Sequence, residues 1–472
     1  MSNDLHKAFG DLINKHWSFL DEDWPTIERS KYHRSTKKGI PAIHVAKEKV
    51  LQCLGFIPVF FFLVVLFGTQ DYSGPYNGVD KGILLLYHLV TGCSMEDMGQ
   101  FIPKSSFHQL HKEFYEKRGS ELSKKITKML ARMFSNVRIR LLSAAQKNPA
   151  DFRHITLFLD GHDTRVSYSG ESSAALYSYK LKKSGFRTQV CTDVNGMILF
   201  MSNSRPCRDC NDGTMFVEMD VENKMHHVDC MALDGGYTLF VDQVIEGSEK
   251  LTSNNFCCPI RKSRGIPLSS SESLFNEMFG SLRSCIEATF GELVTTFRKF
   301  GNGSPIRVST IETFTVQFQL ACLLLNIKTF VKSLNIPHRT NHTTWMQSGF
   351  DFGLSSLDDE SVRVTASIEQ RLGAASELQH LQQQFLSMSM DDVVAQDDAS
   401  SDDASDSYEL EKILDHKGST RKRRYLVRWK GFDHSHDSWV AAKDLHAPVL
   451  LAEYWQRVNA EQQPQGAPSG QS

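Results

Sequence analysis

A run that cannot fold divides this chain. Asp391–Ser407 (DDVVAQDDASSDDASDS) holds seven Asp, four Ser and no aromatic residue. It cannot bury enough apolar surface to offset the entropy of ordering it, so the spacing predicts a disordered acidic tether. Folding must therefore happen on either side of it. With 472 residues in all, two or three domains are expected. A net charge of -2 excludes a general attraction to nucleic acid, so any such contact must be a local patch. The ten Cys are scattered, and Met1–Asp11 lacks the basic-then-apolar pattern of a signal peptide, which reads as reduced intracellular thiols.

Residues 1–150 read as helical. Val50–Phe67 is almost all apolar and nearly long enough to span a bilayer. Gln52, the mid-run Pro58 and the lack of a basic flank favour a buried helix, or a helix pair broken at Pro58, over a membrane segment. In Val79–Glu116 an apolar helical run stops at Thr91-Gly92. Ser94 can cap a short helix, Pro103 breaks it and Ser105 can cap a second. This is helix-turn-helix form, or simply two packed helices. Lys117–Asn148 then carries nine Lys/Arg against Glu121. Ile126, Met129, Leu130 and Met133 recur at helical spacing, leaving a basic face with Lys124, Lys125, Lys128 and Arg132. That face is either merely solvated or contacts phosphates.

From His154 the period changes. Ile155–Asp160, Arg187–Asp193, Met197–Asn203 and His227–Asp234 read as strands, with Asn195-Gly196 joining the second and third as a hairpin. A helix at about Asp212–Lys224, a strand at Phe256–Ile260 and a long helix from Ser271 to Phe300 complete an α/β layer pattern. Three acids stand out. Asp160 ends the first strand before Gly161, Asp234 ends a later one before Gly235, and Glu287 lies in the long helix. Strand-end carboxylates project into the crevice where open α/β sheets bind ligands. Oxygen donors of this kind suit Mg²⁺, and two such ions can cleave a phosphodiester. The plain alternative is that each Asp-Gly only marks a turn. Cys207-Arg208-Asp209-Cys210, with His226, His227 and Cys230 downstream, lacks a clean second zinc pair and reads as ordinary cysteines.

The residues around the acids resemble the DDE transposases of the Harbinger-like superfamily over about Phe152–Val331. The motifs are the Asp-Gly at 160, Tyr179-Lys180 before the Gln189 strand, and Asp-Gly-Gly-Tyr at Asp234–Tyr237. They continue with Glu272…Phe275-Asn276…Arg283…Glu287…Phe290-Gly291, and with Ala321–Asn326. The resemblance implies an α/β ribonuclease H-like DDE domain in which Asp160, Asp234 and Glu287 are catalytic and bind Mg²⁺ (or Mn²⁺). It also raises the standing of the upstream helices as DNA-binding elements. Two departures stand out. Asp163 competes with Asp160 for the ligand role, Asp160 being preferred because it directly ends the apolar strand. Glu292-Leu293-Val294-Thr295-Thr296 stands where the family has basic residues.

Beyond the tether, Tyr408–Leu414 and Tyr425–Trp429 alternate as strands, Trp439 opens a third and Pro448–Val458 reads as a helix. This resembles a chromodomain over its whole length. The resemblance carries the methyl-lysine cage onto Tyr408, Trp429 and Phe432, rings whose faces attract a trimethylammonium, while Trp439 is the core candidate. Val440-Ala441 replaces the usual Glu-Pro, and His434 and His436 stand where acids are common. The fold class expected is multidomain: 1–150 helical, 151–335 DDE domain, 336–390 helical connector, 391–407 linker, 408–460 chromodomain as a three-stranded sheet plus C-terminal helix, 461–472 tail. The function expected is a nuclear, transposase-like DNA endonuclease that reads methylated histone tails, H3 by the resemblance. The alternative is an inactive chromatin adaptor. A homo-oligomer is left open, and no membrane partner is favoured.

Overall fold

The computed structural model describes residues 3–25, 40–70, 72, 76–262, 267–352 and, beyond them, 410–417, 424–430, 434, 437–441, 454 and 457. Of the segment expected to be a helical connector (336–390), only 336–352 is described; the rest of it, the acidic run and the 461–472 tail lie outside the described residues. The chain divides into two compact units, 1–387 and 388–472.

Among the described residues of the first unit, seven helices precede the sheet: α1 (Asn3–His16), α2 (Ile40–Leu54), α3 (Phe56–Phe61), α4 (Gly78–Thr91), α5 (Lys104–His111), α6 (Gly119–Phe134) and α7 (Val137–Lys147). The apolar run at 50–67 is a helix pair, as expected, but it breaks at Gly55 and not at Pro58. Gly55 takes φ 86°, a conformation only glycine adopts without strain, and the chain there bends by 115°. Pro58 sits in the first turn of α3, where its missing N–H costs little. α3 continues into a π-helical turn, Phe62–Phe67, whose rings pack on Phe114 and Tyr72. After the stop at Gly92 comes a four-residue 3₁₀ turn, Asp97–Gln100, whose N-cap residue is Glu96; the Ser94 hydroxyl ahead of it accepts from the Asp97 amide at 3.1 Å. α5 then starts at Lys104, directly after Pro103, so Ser105 lies inside its first turn instead of capping it.

The α/β portion is built on β1 (Leu157–Ser167), β2 (Tyr177–Ser178), β3 (Lys183–Asp193), β4 (Ile198–Met201), β5 (Arg205–Pro206), α8 (Asp212–Glu218), α9 (Val221–Lys224), β6 (Met231–Ala232), α10 (Val241–Glu246), β7 (Phe256–Cys257), α11 (Ser270–Thr296), β8 (Ile306–Arg307), α12 (Ile311–Ser333) and α13 (Thr340–Thr343). The sheet is mixed: β1 runs antiparallel to β3 and parallel to β6, and β6 runs parallel to β7. The Asn195-Gly196 hairpin forms as expected, with Gly196 at φ 74° and β3 paired to β4. The helix expected at Asp212–Lys224 is interrupted at Asp220, which takes a left-handed φ of 50°.

α12 is long and apolar enough by composition to cross a membrane, and it is the core helix on which α3, α6, α11 and β4 pack. Its buried Asn326 accepts from the Ile198 amide at 2.9 Å and donates to the Ile198 carbonyl at 2.7 Å, clamping β4. A buried ion pair, Arg140 to Asp229 (2.6 and 3.0 Å), ties α7 to the turn before β6. Helical and α/β parts thus share one core.

The second unit shows three antiparallel strands in the order β11 (Ser438–Ala441), β10 (Arg424–Trp429), β9 (Leu410–Lys417), with register shifts in β10. Among its described residues, Ile413, Tyr425, Val427 and Tyr454 are buried. Trp439, expected in the core, is half-buried. It pairs with Leu426, whose neighbours Tyr425 and Val427 point to the other face, and the Lys417 ammonium lies 4.2 Å over its ring. The described residues of the expected C-terminal helix hold to β9: the Tyr454 hydroxyl meets His416 Nδ1 at 2.5 Å, and Arg457 donates to the Ile413 carbonyl at 2.7 Å.

Candidate active site

Asp160 was expected at the end of a strand, and it is not there. β1 runs on to Ser167, paired with β3 from Leu157↔Asp193 to Arg165↔Gly185. The polar second half of β1 stays in the sheet because its partner strand supplies the counter-charge. Alternation puts Asp160 and His162 on one face and Asp163 on the other. His162 lies between Phe290 (5.0 Å) and Phe318 (5.7 Å), on the side of α11 and α12. Burial holds its imidazole down at about 4.

Asp163 is fully engaged on the far face. Arg187 grips it with two nitrogens, at 2.7 and 2.9 Å, and the Ser178 hydroxyl donates at 2.6 Å. Burial pushes the Asp163 carboxyl up, but these hydrogen bonds and the Arg187 charge outweigh it and hold it below the usual range. Neither oxygen is left open, which supports Asp160 over Asp163 as the ligand.

The parallel pairing of β1 and β6 brings the other aspartates together. Phe158 is in register with Ala232, and two residues further along each chain stand Asp160 and Asp234. Both face one cation: the Arg283 guanidinium lies 3.9 Å from an oxygen of each. These contacts are too long for hydrogen bonds. Burial raises the Asp160 carboxyl above the usual range, Lys180 and Arg283 oppose this, and Asp234 adds to it. Arg283 Nε and the Tyr237 hydroxyl, both buried, have no hydrogen-bond partner among the described residues.

α11 reaches the site through the motif residues themselves. Ser269 and Glu272 form a capping box that starts the helix. Asn276 exchanges hydrogen bonds with both backbone groups of Ile260 (2.8 and 2.9 Å), and Phe275 stacks on Phe279 beside Phe152. Arg283 then meets the aspartates. Glu287 follows one turn later on the same stripe and is exposed. Among the described residues, no three His, Cys, Asp or Glu side chains are gathered so as to hold a metal ion. The structure therefore joins Asp160 to Asp234 and leaves Glu287 outside the pair. Arg283, missed as a site residue in the sequence, was legible only as a family motif position. The two converging carboxylates still fit Mg²⁺, which is held by one or two carboxylates and keeps waters and substrate phosphates for the rest, while Arg283 competes with it for them.

The basic face is partly spent on the fold. Lys125 donates to the Val65 carbonyl at 2.7 Å, Arg118 bonds the Phe67 carbonyl and Tyr72, and Arg140 holds Asp229. Lys124, Lys128 and Arg132 stay exposed on α6, whose Leu122, Ile126, Leu130 and Met133 face inward. Cys207 and Cys210 are buried, and burial raises both thiols, Cys210 to about 11. Of the expected cage, Tyr408 and Phe432 lie outside the described residues, and Trp429 is described only as the last residue of β10.

Residues 159–326 match the family described as DDE superfamily endonuclease, and residues 408–457 match the chromo (chromatin organisation modifier) domain. The chain thus joins a DDE-endonuclease-like domain to a chromodomain, the combination its motifs led one to expect. Similar proteins include the chromo domain-containing protein cec-1 of Caenorhabditis elegans (33% identical over 55 residues, 12% of this chain and 18% of that protein). The chromatin-associated protein SWI6 of Cryptococcus neoformans var. grubii is 36% identical over 52 residues (11% and 23%). The histone-lysine N-methyltransferase SUV39H2 of Gallus gallus is 42% identical over 48 residues (10% and 12%). The chain spans no more than 23% of the length of any of these three. No solved structure matches it significantly.

Proposed function

We propose that this is a transposase-derived nuclear chromatin protein whose α/β domain cleaves and joins phosphodiesters of DNA with a divalent metal, and whose C-terminal module reads methylated lysine on a histone tail. The observation that carries the first part is the register-matched pair Asp160 and Asp234 under one cation, inside a segment that matches the DDE endonucleases. An antiparallel β1–β3 pair flanked by parallel β6 and β7 supports a ribonuclease H-like reading of the sheet. Asp160 and Asp234 would hold Mg²⁺ or Mn²⁺, with Glu287 on the same stripe of α11 as Arg283 completing the triad. A metal bound there supplies Lewis-acid catalysis and an activated water. Around it, Phe290 and Phe318 exclude water from His162, and the buried Arg283 Nε and Tyr237 hydroxyl offer donors to a phosphate oxygen. Lys124, Lys128 and Arg132 provide phosphate contacts on α6, with Lys125 contributing charge from behind.

Cleavage of DNA bearing the element's own ends, in Mg²⁺ or Mn²⁺, tests this. Asp234→Asn should abolish it, because an amide weakens a hard-metal site. Equal activity in both proteins would exclude the metal assignment. The second reading, a chromatin adaptor without catalysis, is favoured by one observation: Glu287 is not gathered with the two aspartates. Cleavage by neither protein, both correctly folded, would select it.

A further inference from the structure

The four-residue turn between β2 and β3 gathers features the fold does not use. Tyr179 is 67% exposed, among the most exposed large apolar side chains described. Lys180, Lys182 and Lys183 beside it are exposed, and none makes an ion pair or side-chain hydrogen bond among the described residues. Packing three like charges around a bare ring stabilises nothing by itself.

The turn is nevertheless rigidly built. Ser178 is buried, its hydroxyl donating to Asp163 (2.6 Å) and accepting from the Leu181 amide (3.0 Å). Its carbonyl accepts from the Lys182 amide at 2.8 Å, and Lys182 takes φ 55°, a left-handed conformation that closes the turn onto β3. Tyr177 meets the Tyr179 ring at right angles, with centroids 5.3 Å apart and planes at 89°, and props it in place while Tyr179 stays exposed. The Asp163–Arg187 pair thus anchors an exposed aromatic and three lysines to the strand that carries Asp160. Lys180 is close enough for its charge to be felt at both Asp160 and His162.

We propose that the Tyr179–Lys183 turn is a nucleic-acid clamp beside the carboxylates, stacking one unpaired base on Tyr179 and holding its flanking phosphates with Lys180, Lys182 and Lys183. An aromatic face takes any base, and lysines track a backbone, the combination by which single strands are held without regard to sequence. The inference rests on the DNA-processing reading and deepens it: the substrate engaged at the site has at least one unpaired nucleotide. It also supplies a grip that the acidic and neutral residues after Gly291 do not, since Glu292 is engaged with Lys328 at 2.9 Å.

The test is fluorescence anisotropy of the full-length protein with a blunt duplex and with the same duplex bearing a single-stranded overhang of about ten nucleotides. The wild type should prefer the overhang. Tyr179→Ala should lose that preference by about tenfold, the lower part of the range for one stacked base, leaving blunt-duplex binding unchanged, and Tyr179→Phe should retain it. Replacing Lys180, Lys182 and Lys183 by Gln should lower the salt slope on the overhang by about two. All variants should melt as the wild type does, because the side chains are exposed. Wild-type binding to both DNAs that is insensitive to Tyr179→Ala, or a loss equal on both, overturns the clamp and spares the endonuclease reading. Wild-type binding to neither DNA overturns both.

Discussion

Asp160 and Asp163 stand three residues apart on one strand and each faces an arginine, yet the two pairs are built in opposite ways. On one face Arg187 reaches Asp163 through two hydrogen bonds, at 2.7 and 2.9 Å, with a hydroxyl to spare from Ser178. On the other, Arg283 stands 3.9 Å from Asp160 and from Asp234, makes no hydrogen bond to either, and keeps a buried Nε without a partner among the described residues. Burial acts on both carboxylates in the same direction. It is overcome at Asp163, which is held below the usual range, and not at Asp160, which stays above it. Close, saturated pairing belongs to a structural ion pair. Loose, shared pairing keeps charge available to something that arrives later, and the difference in geometry is a stronger guide to the site than the order of residues in Asp160-Gly161-His162-Asp163.

Exchanging the two aspartates should break the symmetry most visibly. Asp163→Asn takes from Arg187 the closer of its two acidic partners, leaving Asp212 at 3.0 Å, and should cost about 1.5–3 kcal/mol of stability, the worth of a hydrogen bond to a charged group. Asp160→Asn removes a charge that burial disfavours, so its melting temperature should equal or exceed that of the wild type while cleavage is lost. Thermal melting of both variants beside the DNA-cleavage assay reads this directly, and equal destabilisation by the two would erase the distinction.

Arg283→Gln sharpens the loose side. Each charge pair near 4 Å is worth about 1 kcal/mol in water, so removing the guanidinium that competes for the two carboxylates should tighten Mn²⁺ binding by roughly fivefold or more. A Mn²⁺ titration followed by paramagnetic resonance checks it. Unchanged or weaker binding would make Arg283 a support of the metal site instead of its competitor.

A separate effect is expected in the other unit, where recognition is assigned to aromatic rings. Trp429→Ala should weaken binding to a trimethyl-lysine histone H3 peptide by more than tenfold, given that desolvated cation–π contacts are worth about 2 kcal/mol or more. The fold should be kept, because its described core is Ile413, Tyr425, Val427 and Tyr454. Peptide titrations in each methylation state decide it; binding indifferent to methylation would reduce the rings to packing.

Much of this architecture was legible from short-range pattern. The Asn195-Gly196 hairpin, the Gly92 stop, a long helix from about Ser271 and the inward stripe of α6 all depend on residues within a few positions of one another. Reading failed where the decisive partner lay far along the chain. Apolar content stopped at Asp160, but β1 continued because β3 brought Arg187 to Asp163. Lys125 and Arg118 looked like surface charge until backbone carbonyls of the π-helical turn claimed them. Trp439 was the core candidate, and strand alternation turned it to the other face.

Residue order alone was enough to place most of the described elements and to single out three acids, since propensity, capping and composition act locally. Which acids meet was settled only by folding. Asp160 and Asp234 are 74 positions apart by number, and no local rule joins them; the parallel register of β1 on β6 does, and α11 then delivers Arg283 between them. Electrostatic roles depend on distance and burial, and both of these come into being only when remote strands and helices share one core.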